Sequence, residues 1–538
     1  MSGSALTNFS TANSSSFTAI ASNATERNNI INWVRGTDNA GDEAGPGGST
    51  TVRPSVHGDV LHSRPAVVNY GGDNIVVFYG SNDGGLRAIN GNKSGTGAGQ
   101  ELWSFVPEEH FGKLKRLRDN SPPIRISTTP AFATNATPRD YFVDGPVSIY
   151  QKLNSSQVTT QAILYVGMRR GGRFFYAIDV TDPADPKFLW RRSNSVNDDR
   201  GDFTKLGQTW SEPRVTKLKD YANPVLVMGG GYDAVAEDAA TPGTTTMGNR
   251  VMVIDAITGN MIKQFATDRA VAADVSLVSL DGQGYTDRAY AVDVGGNIYR
   301  IDFQKTTGVS TSTAVADWGI YKLAALQGTG DPRKFFYGPS VMPTQNFVAV
   351  QVGSGDREKP LKTTGEDAFF TVFDERMTKG TPAVAPAVIT MGTGMGQVGT
   401  SEDMSNGCYI PLAAGEKVVN GPTSFMGSTY FGTNKPSSGV LCKANLGDAR
   451  LYEAPMFCQS PISTEYVGGG LPPSPVAGVV EVTYMVTNAD GTTTEVTKRK
   501  PILIGGPNSK KSAIETTDKT KSVNLPRKRR YWYQEQTR

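Results

Sequence analysis

A short run of alternating oxygen-bearing residues is the most chemically informative part of this sequence. Ser279, Asp281, Gln283 and Asp287 stand at positions 1, 3, 5 and 9 of a tight segment, and Tyr285 at position 7 offers its backbone carbonyl. Loops that wrap calcium in proteins place oxygen ligands at alternate positions in this way. The segment is therefore a candidate site for one calcium ion, with these five residues as its ligands.

The composition of this loop limits the affinity that it can have. Position 12, where calcium loops of this spacing carry a bidentate glutamate, is occupied by Tyr290. Only Asp281 and Asp287 are carboxylates, so we expect a dissociation constant in the weak range of about 10⁻⁴ to 10⁻³ M. The alternative is that Asp281-Gly282 is simply a turn between two strands.

Sequence motifs for catalysis are missing. The chain has neither a G-x-S-x-G nucleophile elbow nor a Walker A lysine loop. We therefore predict that the protein is not an enzyme and has no catalytic residues.

Two short segments suggest macromolecular partners. Arg200-Gly201-Asp202 is a tripeptide that integrins can bind, although three-residue matches are common by chance. The basic run Arg527–Arg530 precedes Tyr531–Tyr533, and such a combination can bind nucleic acid. We favour a closing β-strand for the aromatic residues, with the basic residues keeping a sheet edge soluble, and we predict no nucleic-acid partner.

The composition indicates a folded, turn-rich protein. The 538 residues include 54 Lys and Arg against 51 Asp and Glu, so bulk charge does not select the partners. The 60 glycines and 31 prolines argue against long helices. No apolar run is long enough for a membrane-spanning helix.

The first residues, Met1–Ala5, do not resemble a signal peptide. We therefore expect either a cytosolic protein or a chain whose leader and upstream domain lie outside this sequence.

One pattern recurs along the chain from about residue 51. An apolar strand ending in glycine or aspartate is followed, after a variable loop, by a second apolar strand. Seven such starts recur at a mean spacing of about 71 residues, ending at Gly80, Gly167, Gly229, Asp293, Gly353, Gly432 and Gly505. A single sheet of this kind cannot bury both of its faces, which favours a ring of stacked sheets.

We therefore predict an all-β fold, a modified seven-bladed β-propeller with long insertions, over residues 51–538. The alternative is a pair of β-sandwiches with similar turns, although sandwich strands return every 8 to 12 residues or so. Residues 1–50, rich in Ser, Asn, Thr and Gly, are predicted to form a polar, partly ordered lead-in segment.

The three cysteines lie in the C-terminal quarter of the chain. Cys442 and Cys458 are close enough in sequence to close a short loop, and a disulfide there would be worth about 3 kcal/mol. Three buried free thiols, including Cys408, are an equally good reading of the sequence alone.

Five motifs in fixed order carry a family resemblance. They are Val56–Pro65, Tyr79–Gly84, Leu206–Pro213, Gly353–Glu358 and Gly468–Pro475. Together they resemble the C-terminal domain of the PilY family (PilC in some bacteria), whose members are type IV pilus biogenesis factors and tip adhesins. The resemblance implies a propeller related in shape to quinoprotein dehydrogenases, exported through the periplasm to the cell surface, outer membrane or pilus tip, with an adhesive domain of von Willebrand type upstream.

The resemblance also implies partners and a mechanism. Pilins and a host or abiotic surface are the expected partners, with integrin contact through the Arg-Gly-Asp tripeptide in some members. A calcium loop is implied at residues 279–287, where bound calcium would support pilus extension against the retraction motor. Ser279 and Gln283 depart from the more acidic pattern of the family.

Two other functions stay open. The turn Asp255–Gly259 also resembles the blade turn of pyrroloquinoline quinone-dependent dehydrogenases, although none of the three cysteines is adjacent to another. Alternatively, the propeller is a scaffold that binds a pilin without any regulatory ion.

Overall fold

Most of the regular secondary structure of the protein is β-strand. The structure, a computed structural model, describes residues 3–39, 41, 52–72, 74–125, 135–196, 200–239, 241–307, 310–328, 332–382, 384–437, 446–487, 492–505, 514–516 and 534–536. Within these residues the chain forms two compact units, residues 1–216, 222–264 and 531–538 in the first and residues 217–221 and 265–530 in the second.

The first unit contains sheets 1 and 2 and most of sheet 3, each an antiparallel array of four strands in chain order. Sheet 1 comprises Ala66–Asn69, Ile75–Gly80, Leu86–Asn90 and Glu101–Phe105; sheet 2 comprises Val147–Leu153, Thr159–Gly167, Phe174–Asp179 and Lys187–Ser193; sheet 3 comprises Arg214–Thr216, Val225–Gly229, Arg250–Asp255 and Met261–Ala266. Ser4–Ala5 pairs with the last strand of sheet 2, and Gln534–Gln536 pairs in parallel with its first.

The second unit contains sheets 4, 5 and 6, built in the same way. Sheet 4 comprises Ser276–Val278, Arg288–Val292, Asn297–Asp302 and Gly319–Ala325; sheet 5 comprises Ser340–Pro343, Val348–Gly353, Ala368–Asp374 and Gly407–Pro411; sheet 6 comprises Lys417–Val418, Ser428–Lys435, Asp448–Pro455 and Ile462–Glu465. Short edge strands add to these sheets at Ile389–Thr390, Met395–Gln397 and Thr423–Phe425. A long hairpin follows at Val476–Thr487 and Thr493–Ile504, with Ile514–Thr516 on its second strand.

The remaining elements are short. Helices span Ala24–Val34, Phe111–Asp119 and Ala234–Glu237, with 3₁₀ turns at Thr11–Phe17, Glu108–His110 and Val315–Asp317, and two-stranded ribbons pair Ile124–Arg125 with Thr137–Pro138 and Lys305–Thr307 with Ser310–Ser312. The lead-in segment contains the first of these helices, which is capped by the Asn23 side chain. Its Ile30 and Ile31 pack with Phe111 and Leu114 of the second helix.

The apolar strands of the sequence become the buried inner strands of these sheets. Val225–Gly229 is buried at every position, whereas the outermost strand of the same sheet, Met261–Ala266, is largely half-buried. Neighbouring sheets pack face to face within each unit, sheet 4 on sheet 5 through a cluster that includes Tyr290, Val350 and Phe370. Such packing of successive four-stranded sheets is the way in which propeller blades bury their faces.

The recurring glycines have a steric reason. A Cβ atom at Gly80 would lie 2.1 Å from the carbonyl oxygen of Val143, and one at Gly353 would lie 2.4 Å from a methyl group of Val418. These two strands therefore end in glycine because another segment of the chain passes too close for any side chain.

Six of the seven predicted repeat starts lie in these sheets, at the second strand of each. The seventh, ending at Gly505, lies in the long hairpin instead. Six sheets, each built on four antiparallel strands in chain order, are thus present among the described residues, and the count of seven blades stays a prediction. The predicted closing strand Tyr531–Tyr533 and the basic run before it lie outside the described residues.

The disulfide differs from both readings of the sequence. Cys408 is bonded to Cys458, with their Cα atoms 5.8 Å apart, so a Cys442–Cys458 bridge and three free thiols are both wrong. Cys408 lies in the last strand of sheet 5, and Cys458 follows the strand Asp448–Pro455 of sheet 6. The pairing of strands, and not closeness in sequence, brings the two sulfur atoms together. Cys442 lies outside the described residues.

Replacing Cys458 by serine tests this assignment. The Cys408–Cys458 bridge spans 50 residues, so we expect its loss to reduce the free energy of unfolding by about 4 kcal/mol through loop-closure entropy. Urea unfolding of the oxidised Cys458→Ser protein measures this loss, with Cys442→Ser as the control expected to unfold like the wild type. A destabilised Cys442→Ser protein and an unaffected Cys408→Ser protein would contradict the assignment.

Candidate functional site

The candidate calcium loop joins the first two strands of sheet 4. Val278 and Arg288 are paired in register at its base, and the amide of Asp287 donates to the carbonyl of Val278 at 3.0 Å. The Asp287 carboxylate accepts a hydrogen bond from the amide of Leu280 at 2.8 Å. These contacts fold the loop back on itself and turn the Asp287 carboxylate towards the start of the loop.

The structure brings together the two predicted carboxylate ligands. The amide of Gln283 donates to Oδ1 of Asp281 at 3.0 Å, and the hydroxyl of Ser279 donates to the same oxygen at 3.4 Å. Tyr285 is 39% exposed. Of the five predicted ligands, Ser279 and Gln283 therefore donate hydrogen bonds to Asp281. The carboxylates of Asp281 and Asp287 contact the same cationic side chain.

The shared cation is the ammonium group of Lys379. Its Nζ donates to Oδ2 of Asp281 and, at 3.0 Å, to Oδ1 of Asp287. The Lys379 side chain is 31% exposed, and the Asp287 side chain only 9%. A lysine ammonium is a compact charge with three donors, so one such group can bridge two carboxylates.

The protonation of these groups follows from their contacts. Burial raises the pKa of Asp281, but the hydrogen bond from Lys379 and the backbone hydrogen bond from Gln283 outweigh it and leave that pKa below its usual value. Burial lowers the pKa of Lys379, but its hydrogen bonds to Asp281 and Asp287 outweigh that effect and leave it above its usual value. The ammonium and the Asp281 carboxylate are therefore both charged across the physiological pH range.

A buried arginine pair positions the segment that carries Lys379. Arg288 and Arg300 are fully buried and form ion pairs with Asp302 and Asp374, at distances of 2.9 to 3.3 Å. Tyr290 donates to Asp374 at 2.5 Å. This group of five residues, which we call the arginine cluster, joins two strands of sheet 4 to the end of the strand Ala368–Asp374 of sheet 5.

The same arginines hold the backbone that follows Asp374. Arg300 donates to the carbonyl oxygens of Arg376 at 2.8 Å and Thr378 at 3.2 Å, and Arg288 donates to the same two oxygens at 3.0 and 3.1 Å. Four hydrogen bonds from charged donors therefore fix the backbone on the N-terminal side of Lys379.

Gly380 fixes the other side. Its φ angle is +99°, and a Cβ atom there would lie 2.6 Å from the backbone nitrogen of Thr306. The next amide, of Thr381, donates to the carbonyl of Gln304 at 3.1 Å. A side chain at position 380 would have to displace this backbone, so the close approach requires glycine.

Sequence reasoning missed Lys379 and the arginine cluster. Lys379 follows Asp287 by 92 residues, and nothing local marks it as a partner of the loop. The arginine cluster could have been found from the charged residues that interrupt apolar strands. Arg288, Arg300 and Asp302 lie in strands of sheet 4, and Asp374 ends a strand of sheet 5. Charged residues are almost never fully buried unless they are paired.

As arranged, these residues do not fit a calcium ion. Calcium takes six to eight oxygen ligands or so at roughly 2.3 to 2.6 Å, whereas both carboxylates of the loop already accept hydrogen bonds from Lys379. Within the described residues, no group of three or more His, Cys, Asp or Glu side chains could hold a metal ion. Calcium binding by the loop stays a prediction.

The Arg-Gly-Asp tripeptide lies at the surface of the first unit. Arg200, Gly201 and Asp202 are all exposed. The Asp202 carboxylate accepts hydrogen bonds from the amide and the hydroxyl of Thr204, at 3.0 and 2.5 Å. The tripeptide is accessible, and one of its aspartate oxygens already has partners within the loop.

The turn that suggested a quinone dehydrogenase has a structural role here. The Asp255 side chain is buried and accepts hydrogen bonds from the amides of Ile257 and Thr258, at 2.9 and 2.8 Å. The Asn223 amide group donates to its other oxygen at 2.9 Å. Asp255 therefore stabilises the turn between two strands of sheet 3.

Comparisons with known proteins agree with this architecture. The sequence model of the PilY1 beta-propeller domain family matches residues 69–407. The type IV pilus biogenesis factor PilY1 of Pseudomonas aeruginosa (strain UCBPP-PA14) is 28% identical over 403 residues, 65% of this chain and 32% of that protein. A PilY1 homolog of Xylella fastidiosa (strain Temecula1) is 26% identical over 312 residues, 53% of this chain and 22% of that protein.

The solved structure of the Pseudomonas aeruginosa PilY1 C-terminal domain has a similar fold. It superposes with a TM-score of 0.53 at 17% identity, covering 80% of this chain and 91% of that one. The chain spans about a third or less of the length of the curated relatives that it matches. Among the described residues, no helix is long and apolar enough to cross a membrane.

Arg300→Met tests the role of the arginine cluster. The substitution keeps most of the side-chain volume but leaves Asp302 and Asp374 with one cation fewer in a buried site, so we expect a loss of about 3 to 5 kcal/mol in the free energy of unfolding. Chemical denaturation measures it. Arg376→Met removes the same charge from an exposed side chain and should change stability by less than about 0.5 kcal/mol. Equal losses of unfolding free energy in the two variants would show that the buried ion pairs of the cluster do not stabilise the protein more than an exposed charge does.

The model of this family matches residues 69–407, more than half of the chain, so the chain belongs to the PilY1 beta-propeller domain family.

Proposed function

We propose that this chain is the propeller part of a type IV pilus biogenesis factor that works by binding, without catalysis. The observation that carries the proposal is the family match over residues 69–407, together with relatives named as type IV pilus biogenesis factors. The buried Asp255 carboxylate accepts hydrogen bonds from backbone amides of its own turn. These bonds support a structural role for the turn that suggested a dehydrogenase.

In this proposal the chain supports pilus extension against retraction and contributes to attachment to surfaces. Its partners are pilins of the type IV pilus and a host or abiotic surface, and it acts at the cell surface, at the outer membrane or at the pilus tip. No nucleic-acid partner is proposed. Integrin contact through Arg200–Asp202 stays a prediction that the exposure of the tripeptide favours.

The two other functions predict different behaviour in solution. A quinone-dependent dehydrogenase should oxidise alcohols after addition of pyrroloquinoline quinone and calcium, and we expect no such activity. An ion-independent scaffold should retain pilin equally in calcium and in chelator. The bridging of Asp281 and Asp287 by Lys379 favours the scaffold over a module that requires calcium.

The proposal is tested in a strain that makes the full-length protein without this region. We expect few surface pili and loss of twitching motility, because retraction would no longer be opposed; electron microscopy and a sheared-pilus immunoblot measure the pili. Inactivating the retraction motor in the same strain should restore surface pili if the region opposes retraction. Normal piliation of the deletion strain would contradict the proposal.

A further inference from the structure

We propose that Lys379 is a tethered cation that takes the place of calcium in the loop 279–287. The resemblance assigns this loop to calcium, yet the ammonium of Lys379 contacts both of its carboxylates, Asp281 and Asp287. The loop would then be closed by the protein's own charge, and a calcium ion could enter only by displacing Lys379. The effect on pili rests on the function proposed above, whereas the effect on ion binding rests on this geometry alone.

The charges of the loop explain why a cation is needed. Asp281 and Asp287 both contact one Nζ atom and therefore lie close together, where two carboxylates without a cation would repel each other. The Asp287 side chain is only 9% exposed, so water screens this repulsion poorly. Lys379 supplies one positive charge and two hydrogen bonds between them, which lets the loop fold back without a metal.

Lys379 is held in place by more than its own flexible side chain. Arg288 and Arg300 fix the carbonyl oxygens of Arg376 and Thr378, and the close approach of Gly380 to Thr306 fixes the next residue. The backbone on both sides of Lys379 is thus positioned by buried contacts. The ammonium is delivered to the loop with little loss of conformational freedom.

A tethered cation differs from a bound ion in its response to the medium. The occupancy of a calcium site follows the free calcium concentration, whereas the local concentration of a covalently attached ammonium does not change. The loop should therefore keep its structure in calcium-free medium, and the wild-type protein should respond weakly or not at all to external calcium.

Removing the ammonium should uncover a calcium site. Lys379→Met keeps the aliphatic stem and leaves the two carboxylates unneutralised, so we expect this variant to bind calcium at least about tenfold more tightly than the wild type. Isothermal titration of calcium chloride into chelator-treated protein measures both affinities, at concentrations up to about 10 mM to cover the weak range of such loops.

Thermal melts give a second readout. The wild type should melt at the same temperature in chelator and in calcium. Lys379→Met should melt at a lower temperature in chelator, and calcium should restore most of the difference. Wild-type protein alone therefore already tests the proposal, because a wild-type melting temperature that calcium raises would overturn it even if the variant folded poorly.

Two control variants locate the effect. Lys322 is 28% exposed and pairs with Asp268 in the same unit, so Lys322→Met removes an equivalent charge from a pair with one carboxylate. It should behave like the wild type in calcium. The double variant Lys379→Met with Asp281→Asn should lose the gained binding.

Three further results would overturn the proposal: no calcium binding by Lys379→Met, an equal gain in Lys322→Met, or a gain that survives Asp281→Asn. None of these depends on pili, so a failure of the proposed pilus function would be seen separately, in the deletion strain. If both proposals hold, cells with wild-type protein should keep their pili in calcium-free medium, and cells with Lys379→Met should lose them there.

Discussion

The arginine cluster is the constraint on which the rest of the candidate site depends. Two arginines and two aspartates are removed from water there, and the cost of desolvating four charges is recovered only if each finds close partners. Arg288 and Arg300 do so by pairing with Asp302 and Asp374 and by donating to two backbone carbonyls beyond them. Because these partners belong to two sheets, the cluster sets the position of one strand end relative to the other sheet. Nothing in the loop 279–287 could hold that position by itself.

The loop and the segment after Asp374 consequently behave as one structure. Asp287 directly precedes Arg288 in the chain. Because Arg288 is fixed by its contact with Asp374, the Asp287 carboxylate is held where it contacts Lys379. On the other side, the carbonyls of Arg376 and Thr378 are fixed by the cluster just before Lys379. The partly exposed ion pairs of Lys379 with the loop are therefore stabilised by the buried arginine cluster. An exposed ion pair alone contributes at most about 1 kcal/mol, which would not hold a lysine in one place.

The sequence was sufficient to predict what depends on local pattern, and not what depends on the pairing of distant strands. Short apolar strands ending in glycine or aspartate predicted six of the sheets, and glycine is required where the neighbouring chain passes as closely as Val143 passes Gly80. The same pattern failed at Gly505, where an apolar strand belongs to a hairpin. The loop that carries Asp281 and Asp287 stood out in the sequence because its oxygen-bearing residues recur at alternate positions within nine residues. Lys379 and the Cys408–Cys458 bridge were missed because packing between sheets, which leaves no periodic signal, creates both contacts.

A loop closed by a metal ion and a loop closed by a lysine respond to different signals. A metal ion adds up to two positive charges and several bonds, but it leaves when its concentration falls. A lysine adds one charge, which water screens weakly because Asp287 is buried, and the backbone that carries the lysine keeps it near the loop at any calcium concentration. In this chain that backbone is held by Arg288 and Arg300. If Lys379 closes the loop as proposed, the loop is controlled through the packing of the two sheets that the arginines join, because that packing fixes the backbone next to Lys379.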